Sequence, residues 1–324
     1  MFFTYEDEKF KFTGRWGKEN PWVSGICATA CGSKIEFGFK GRDLVLHFNT
    51  NDNVETYPHL YISIDGGARI EVTLQKLIRV DALTDTEHTA TVIFKSAVEA
   101  QHRWYSPLNG KVAFEGVTVN ELIAVPKSNK KTIEFVGDSI TEGVLIDVDF
   151  IDGGQQGRPF HDDVTATYAY LTAEALGLEP YIMGYGAVGV TKSGQGAVPK
   201  CSESYSYCFE NTSKNYNNCD YIMINHGAND RGAGVETYLE NYKELLDLII
   251  KENPKSKIIV LSAFCGAFHI ELGEFVEKYN KENDTNISYI DSFGWVPLEP
   301  LHPLRSGHRI IAEKLIPEMK KIIL

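Results

Sequence analysis

Four short stretches of the chain carry residue types that could perform acyl transfer. In FVGDSITEG an apolar run ends at Gly137, and Ser139 follows where the next helix would begin. A serine there directs its hydroxyl, its own backbone N–H and a helix N-terminal dipole at one point, which suits a reaction that generates an oxyanion. The same position equally suits Asp138 or Ser139 as an ordinary N-cap. In MGYGAVGVT, Gly184, Gly186 and Gly189 would let a backbone N–H approach a ligand unobstructed, or would serve a turn at positive φ. The spacing is not that of a dinucleotide-binding GxGxxG, and the first strand of this half leads into GDS instead. NHGAND offers Asn229 as a side-chain N–H donor beside Asp230, although a turn-forming asparagine is the plainer reading. EPLHPLRSGH places Glu299 three residues before His302, so one loop could present an imidazole and the carboxylate that orients it. His308 competes for the role of base, but it sits where the last helix begins and is expected to pack or cap.

These four stretches need elements to position them, and the chain changes its period to supply them. From Lys34 to about Ala124 apolar residues alternate, as in KIEFGF, DLVLHF, LYISI and RIEVTL, the period of strands with one buried face. Turn signals at Lys40-Gly41-Arg42-Asp43, Asp65-Gly66-Gly67 and Asn109-Gly110 separate them, which predicts an all-β sandwich or jelly roll. The polar stretch AVPKSNKK, carrying Pro126, marks a boundary, giving a β-sandwich domain over 1–126 and a second domain over 127–324. In the second, strand-like runs (IEFVG, YIMGYG, YIMINHG, KIIVLSAF) alternate with helix-like ones. In ETYLENYKELLDLIIKENP, Leu239, Tyr242, Leu246 and Ile249 share one helical face; Gly177 and Pro254 act as stops, and a last helix is predicted from Ser306 toward Leu324. That alternation predicts a three-layer α/β domain with a mainly parallel sheet, whose ligands bind in loops at the carboxyl ends of the strands. All four candidate stretches fall in such loops.

Composition limits the partners. The formal charge of −12 and pI near 5.3 disfavour nucleic-acid phosphates and anionic membrane surfaces, so neither is expected as a partner. MFFTYEDEKF has acids where a secretory signal would have a basic region and an apolar run, and a cytoplasmic location is expected unless a leader has been removed. The six cysteines fit neither a disulfide scaffold nor a zinc pattern; free buried thiols, no metal and no cofactor are expected. A homo-oligomer is left open.

A serine, a histidine with an acid nearby and several N–H donors at one sheet edge make a serine esterase the expected chemistry. GDSIT, the glycine turn, GAND and the His-Pro element also resemble, in order and spacing, the four sequence blocks of the SGNH, or GDSL, hydrolases, a flavodoxin-like superfamily. The resemblance implies Ser139 as nucleophile and first oxyanion donor, Gly189 as second donor through its GVT neighbourhood, Asn229 as third, and His302 as base. Gly184 stands where the family usually has asparagine, and Glu299 where it usually has aspartate. Glu299 could complete a triad, or a backbone carbonyl could orient His302 in a dyad. The FTGRW opening, the strand-rich first half and WYSPLNGKVAFEGV resemble carbohydrate esterase family 2, which joins a jelly roll to an SGNH domain and removes acetyl groups from polysaccharides. The function so implied is an esterase acting on acetylated oligo- or polysaccharides. Thioesterase, lysophospholipase or arylesterase activity on the same machinery, and an inactive carbohydrate-binding protein, are the alternatives. Trp16, Trp22, Trp104 and Tyr105 could stack on sugar rings; Trp104 with Arg103, and Asp138 beside the nucleophile, are the substrate-binding candidates.

Overall fold

The alternating stretches of the first half form strands whose apolar faces are buried. Ile35, Phe37 and Phe39, and likewise Leu44, Leu46 and Phe48, are all fully buried, while Glu36, Val45 and His47 between them are half-buried and Gly38 is buried. The computed structural model describes residues 1–148 and 158–323, so Leu324, the predicted end of the last helix, lies outside the described residues. Two antiparallel sheets result. One orders the strands Phe2–Thr4, Val112–Thr118, Asp43–Asn49 and Leu77–Asp81, with Ile26–Ala28 also pairing to Val112–Thr118. The other orders Glu121–Ile123, Lys34–Lys40, Glu87–Ser96, His59–Ile64 and Ile70–Thr73, with Lys11–Thr13 added on Lys34–Lys40. The alternation predicted for RIEVTL fails at its start: Ile70 is exposed, because Ile70–Thr73 is the sheet's last strand and pairs on one side only.

The second half contains a five-stranded parallel sheet ordered Glu179–Gly184, Thr132–Gly137, Tyr221–Asn225, Lys257–Leu261, Ser288–Ile290. Numbered along the chain this order is 2-1-3-4-5, the flavodoxin-like arrangement, whose crevice opens where the first strand stands between the second and third. Helices Tyr168–Ala175, Val235–Glu252, His269–Asn283 and Arg305–Ile323 connect or flank these strands. In Val235–Glu252 the buried side chains are Tyr238, Tyr242, Leu245, Leu246 and Ile249, the face predicted from the spacing shifted slightly, so that Leu239 is half-buried. No helix among the described residues is long and apolar enough to cross a membrane.

The two halves are packed on one another. Buried Phe10, Phe37 and Phe114 of the sandwich belong to the same contiguous apolar cluster as Ile133, Phe135 and Ile182 of the parallel sheet. A fully buried ion pair joins Arg15 Nη2 to Glu134 Oε1 at 2.9 Å, and Lys34 with Lys11 converge on Glu179. The segment 124–131, where the boundary is expected, has no helix or strand.

Candidate active site

Strand Thr132–Gly137 ends at the crevice, and a single turn of helix, Ser139–Glu142, starts directly after it. Asp138 is its N-cap: the Ile140 N–H donates to Asp138 Oδ1 at 2.9 Å. The capping reading is therefore right for Asp138, and it leaves Ser139 free for chemistry. Ser139 Oγ lies 2.8 Å from His302 Nε2, a hydroxyl-to-imidazole hydrogen bond spanning 163 residues of chain. Burial lowers the pKa of His302; the Glu99 charge opposes this and the Arg158 charge adds to it. A neutral imidazole can take up a proton at Nε2. His308 is excluded as the base, since it is fully buried, accepts the Tyr168 N–H at Nδ1 over 3.0 Å, and is pushed down to about 3 by that burial.

Glu299 does not complete a triad. It is exposed, makes no hydrogen bond to His302, and the charges that act on His302 are those of Glu99 and Arg158. Three residues of spacing put the acid on the right loop, but the loop turns its side chain to solvent.

The donors are also rearranged. The Gly189 N–H, expected to face the oxyanion, is spent in a turn on the Lys192 carbonyl at 3.0 Å. Gly189 packs on Asp230, where a Cβ would stand 2.4 Å from Oδ1. Asp230 in turn accepts from the Val190 N–H at 3.2 Å, the Thr191 N–H at 2.8 Å and the Thr191 hydroxyl at 2.6 Å, which ties the second and third loops together. The backbone N–H groups of Ser139 and Gly186, by contrast, donate to no described residue. Asn229 lines the pocket with its amide fixed from behind, Nδ2 donating to Asp138 Oδ2 at 3.2 Å and to the Val188 carbonyl at 3.1 Å.

Three substrate-binding expectations are corrected. Asp138 is buried between the helix cap and Asn229, and burial, reinforced by the Asp230 and Glu99 charges, pushes its carboxyl up to about 7. Arg103 is fully buried, donating to Glu142 Oε1 and to the Ala97 carbonyl. Trp104 is buried edge-on to Tyr207 and lines a separate cavity of about 570 Å³, whose walls include Lys18, Glu19 and Phe209 but neither Ser139 nor His302. Trp16 is in the core, whereas Trp22 and Tyr105 are exposed.

The pocket at Ser139 has a volume of about 160 Å³ and is walled by Ile140, Ala187, Ala228, Leu301, Asn229, Gln195, His302 and Glu99. Glu99 is the residue that sequence reasoning missed. It belongs to the first half, just past strand Glu87–Ser96, and an acid in SAVEAQ carries no local mark of catalysis. Among the described residues no group of three or more His, Cys, Asp or Glu is placed to hold a metal ion, and all six cysteines are unpaired.

The model of the GDSL-like lipase/acylhydrolase family matches residues 135–310, over half of the chain. The chain belongs to that family. A curated relative is the cellulase/esterase CelE of Acetivibrio thermocellus, 25% identical over 241 residues. The match covers 65% of this chain but only 28% of that relative's length. A family two carbohydrate esterase from Cellvibrio japonicus superposes with a TM-score of 0.80 at 19% identity, covering 99% of this chain and 97% of that one. The acetyl xylan esterase Est2A from Butyrivibrio proteoclasticus gives 0.79 at 18% identity, covering 100% and 98%. Both halves of the GDSL-like chain therefore share their fold with these enzymes, an N-terminal jelly-roll-like sandwich and a C-terminal parallel α/β domain.

Proposed function

We propose that this protein is a serine esterase that removes O-acetyl groups from acetylated oligo- or polysaccharides. The observation that carries the reading is the 2.8 Å contact of Ser139 Oγ with His302 Nε2 inside a pocket of about 160 Å³. His302 takes the Ser139 proton as Oγ attacks the ester carbonyl, and the tetrahedral oxyanion forms against the Ser139 and Gly186 N–H groups and the Asn229 amide. Both Asn229 amide hydrogens are engaged, on Asp138 Oδ2 at 3.2 Å and the Val188 carbonyl at 3.1 Å, so in this mechanism one of them turns from its partner to the oxyanion. His302 then gives the proton to the departing sugar alkoxide. Water, deprotonated by the same ring, releases acetate from the acyl-enzyme. In this role Gly186 replaces Gly189, and the base works in a Ser139–His302 dyad.

The acetyl preference follows from size. The pocket is smaller than the roughly 300–1,000 Å³ of sites that enclose a drug-sized ligand, and Ile140, Ala187, Ala228 and Leu301 offer a short apolar wall. Membership of the acylhydrolase family and the carbohydrate esterases among the similar proteins support the same reading. Two measurements test it: acetate release from acetylated mannan, xylan and glucose-based oligosaccharides, and the relative turnover of p-nitrophenyl acetate and octanoate. Acetate release that Ser139→Ala abolishes, with acetate ester far preferred over octanoate, is expected. A preference for octanoate would favour a lipid or thioester substrate on the same machinery.

A further inference from the structure

One carboxylate in the pocket acts on His302 only through its charge and makes no hydrogen bond to Ser139 or His302. Glu99 is 8% exposed and shares the pocket wall with Ser139, Asn229, Gln195 and His302. An ionised carboxylate this deeply buried is costly unless it is partnered. Among the described residues Glu99 is partnered at one oxygen only. Its Oε2 accepts from Arg158 Nη2, and Arg158 is itself steadied by Asp162, whose two oxygens lie 3.3 Å from Nε. Oε1 accepts no hydrogen bond from a described residue and lies against Gly186, where a Cβ would stand only 2.0 Å away. Any side chain at position 186 would displace this oxygen, so one glycine of the second loop is needed to seat an acid delivered by the other half of the molecule.

A fixed acceptor with an open lone pair on the pocket wall beside Ser139 is placed to accept an O–H or N–H of the substrate. We infer that Glu99 is a specificity-determining residue whose Oε1 accepts a free hydroxyl on the alcohol part of the ester. The preferred substrate is then the ester of a neutral polyol such as a sugar, not of a hydroxyl-free alcohol or of an anionic sugar, which the same carboxylate repels. The inference rests on the acetyl-esterase reading above and adds to it the means by which the alcohol is chosen.

The test compares kcat/KM for three acetyl esters: an acetylated glucose-based oligosaccharide, p-nitrophenyl acetate, which has no free hydroxyl, and acetylated glucuronate. A hydrogen bond to a charged group discriminates by about ten- to a hundredfold. Glu99→Gln and Glu99→Ala are therefore expected to lower the ratio of the first substrate to the second by about that factor, and to raise glucuronate relative to glucose. Equal losses on all three esters would overturn the inference and make Glu99 a partner of His302 or of the fold; an unchanged ratio would overturn it as well. Thermal unfolding of each variant accompanies the kinetics. If the uncharged variants do not fold, Glu99→Asp carries the test, because it keeps the charge on Arg158 while drawing the acceptor back by one methylene, and the same ratio should fall. A wild-type enzyme with no preference for the sugar ester over p-nitrophenyl acetate would instead remove the carbohydrate reading on which the inference rests.

Discussion

The Ser139 hydroxyl is hydrogen-bonded to the His302 ring before any substrate arrives, and burial holds the pKa of that ring down. Only the neutral ring can act as base, so activity falls as pH drops through the pKa of His302. Because burial sets that pKa below the ordinary histidine value, the acidic limb of kcat/KM should lie below about pH 6.5. Glu299→Gln should leave both the limb and the plateau within a few-fold of wild type, since Glu299 is exposed and makes no hydrogen bond to the ring. A large loss of turnover, or a limb displaced further toward acid, would restore Glu299 as the orienting acid. At this scale the sequence was readable where a placement is local: Ser139 after its strand, His302 on its loop and Asn229 in GAND line one pocket. The turn that engages the Gly189 N–H on the Lys192 carbonyl, three residues on, is not marked in GVT, and Glu99 is not marked in SAVEAQ because a contact between the two halves places it.

The helical turn that carries Ser139 has only four residues, all of them buried, so its position depends on what packs around it. Arg103, from the sandwich half, donates to Glu142 at the end of that turn, and both side chains are buried. Burial raises the pKa of Glu142 against the opposing pull of the Arg103 charge. Removing one member of a buried ion pair leaves an uncompensated charge, typically a loss of about 3–5 kcal/mol. Arg103→Ala should therefore destabilise the protein by that order at pH 8. A carboxyl whose folded pKa is raised stabilises the fold only below its unfolded pKa and loses that contribution as pH rises through the folded value. With Arg103 gone the pKa of Glu142 climbs further, so the deficit at pH 8 should exceed that at pH 5. Urea unfolding at the two pH values checks this, and a deficit independent of pH would mean that Arg103 matters through packing alone. The elements themselves were mostly evident from period and turn residues. Ile70 was not, because alternation shows which side chains share a face but not whether a strand is central or last in its sheet.

Across the whole molecule, the change of period after Ala124 separates two architectures, yet the buried groups do not divide there. Glu134, on the first strand of the parallel sheet, accepts from Arg15 Nη2 at 2.9 Å and from the hydroxyls of Tyr205 at 2.9 Å and Tyr216 at 2.6 Å, with both ionic partners fully buried. Burial pushes its carboxyl up, but the charges of Lys214 and Arg15 together with these hydrogen bonds outweigh it and hold the pKa below the ordinary value. Nothing local to Arg15 or Glu134 in the sequence announces the pairing, since it depends on how one half docks on the other. Its consequence is that the halves should unfold together. Three of the four tryptophans, Trp16, Trp22 and Trp104, lie in the sandwich, whereas among the described residues every α-helix lies at or after Ser139. Tryptophan fluorescence therefore follows mainly one half, and circular dichroism at 222 nm the other. In urea at pH 7 the two signals should share one midpoint, as two-state unfolding requires. A carboxyl with a depressed folded pKa contributes stability above its unfolded pKa and loses it as pH falls through the folded value. Lowering the pH through and below the ordinary carboxylate range should thus move both midpoints down in step, and Glu134→Gln at pH 7 should do the same. Separate midpoints, with fluorescence changing before or after the helical signal, would show that the sandwich and the α/β domain are independent units and that the Arg15–Glu134 pair does not couple them.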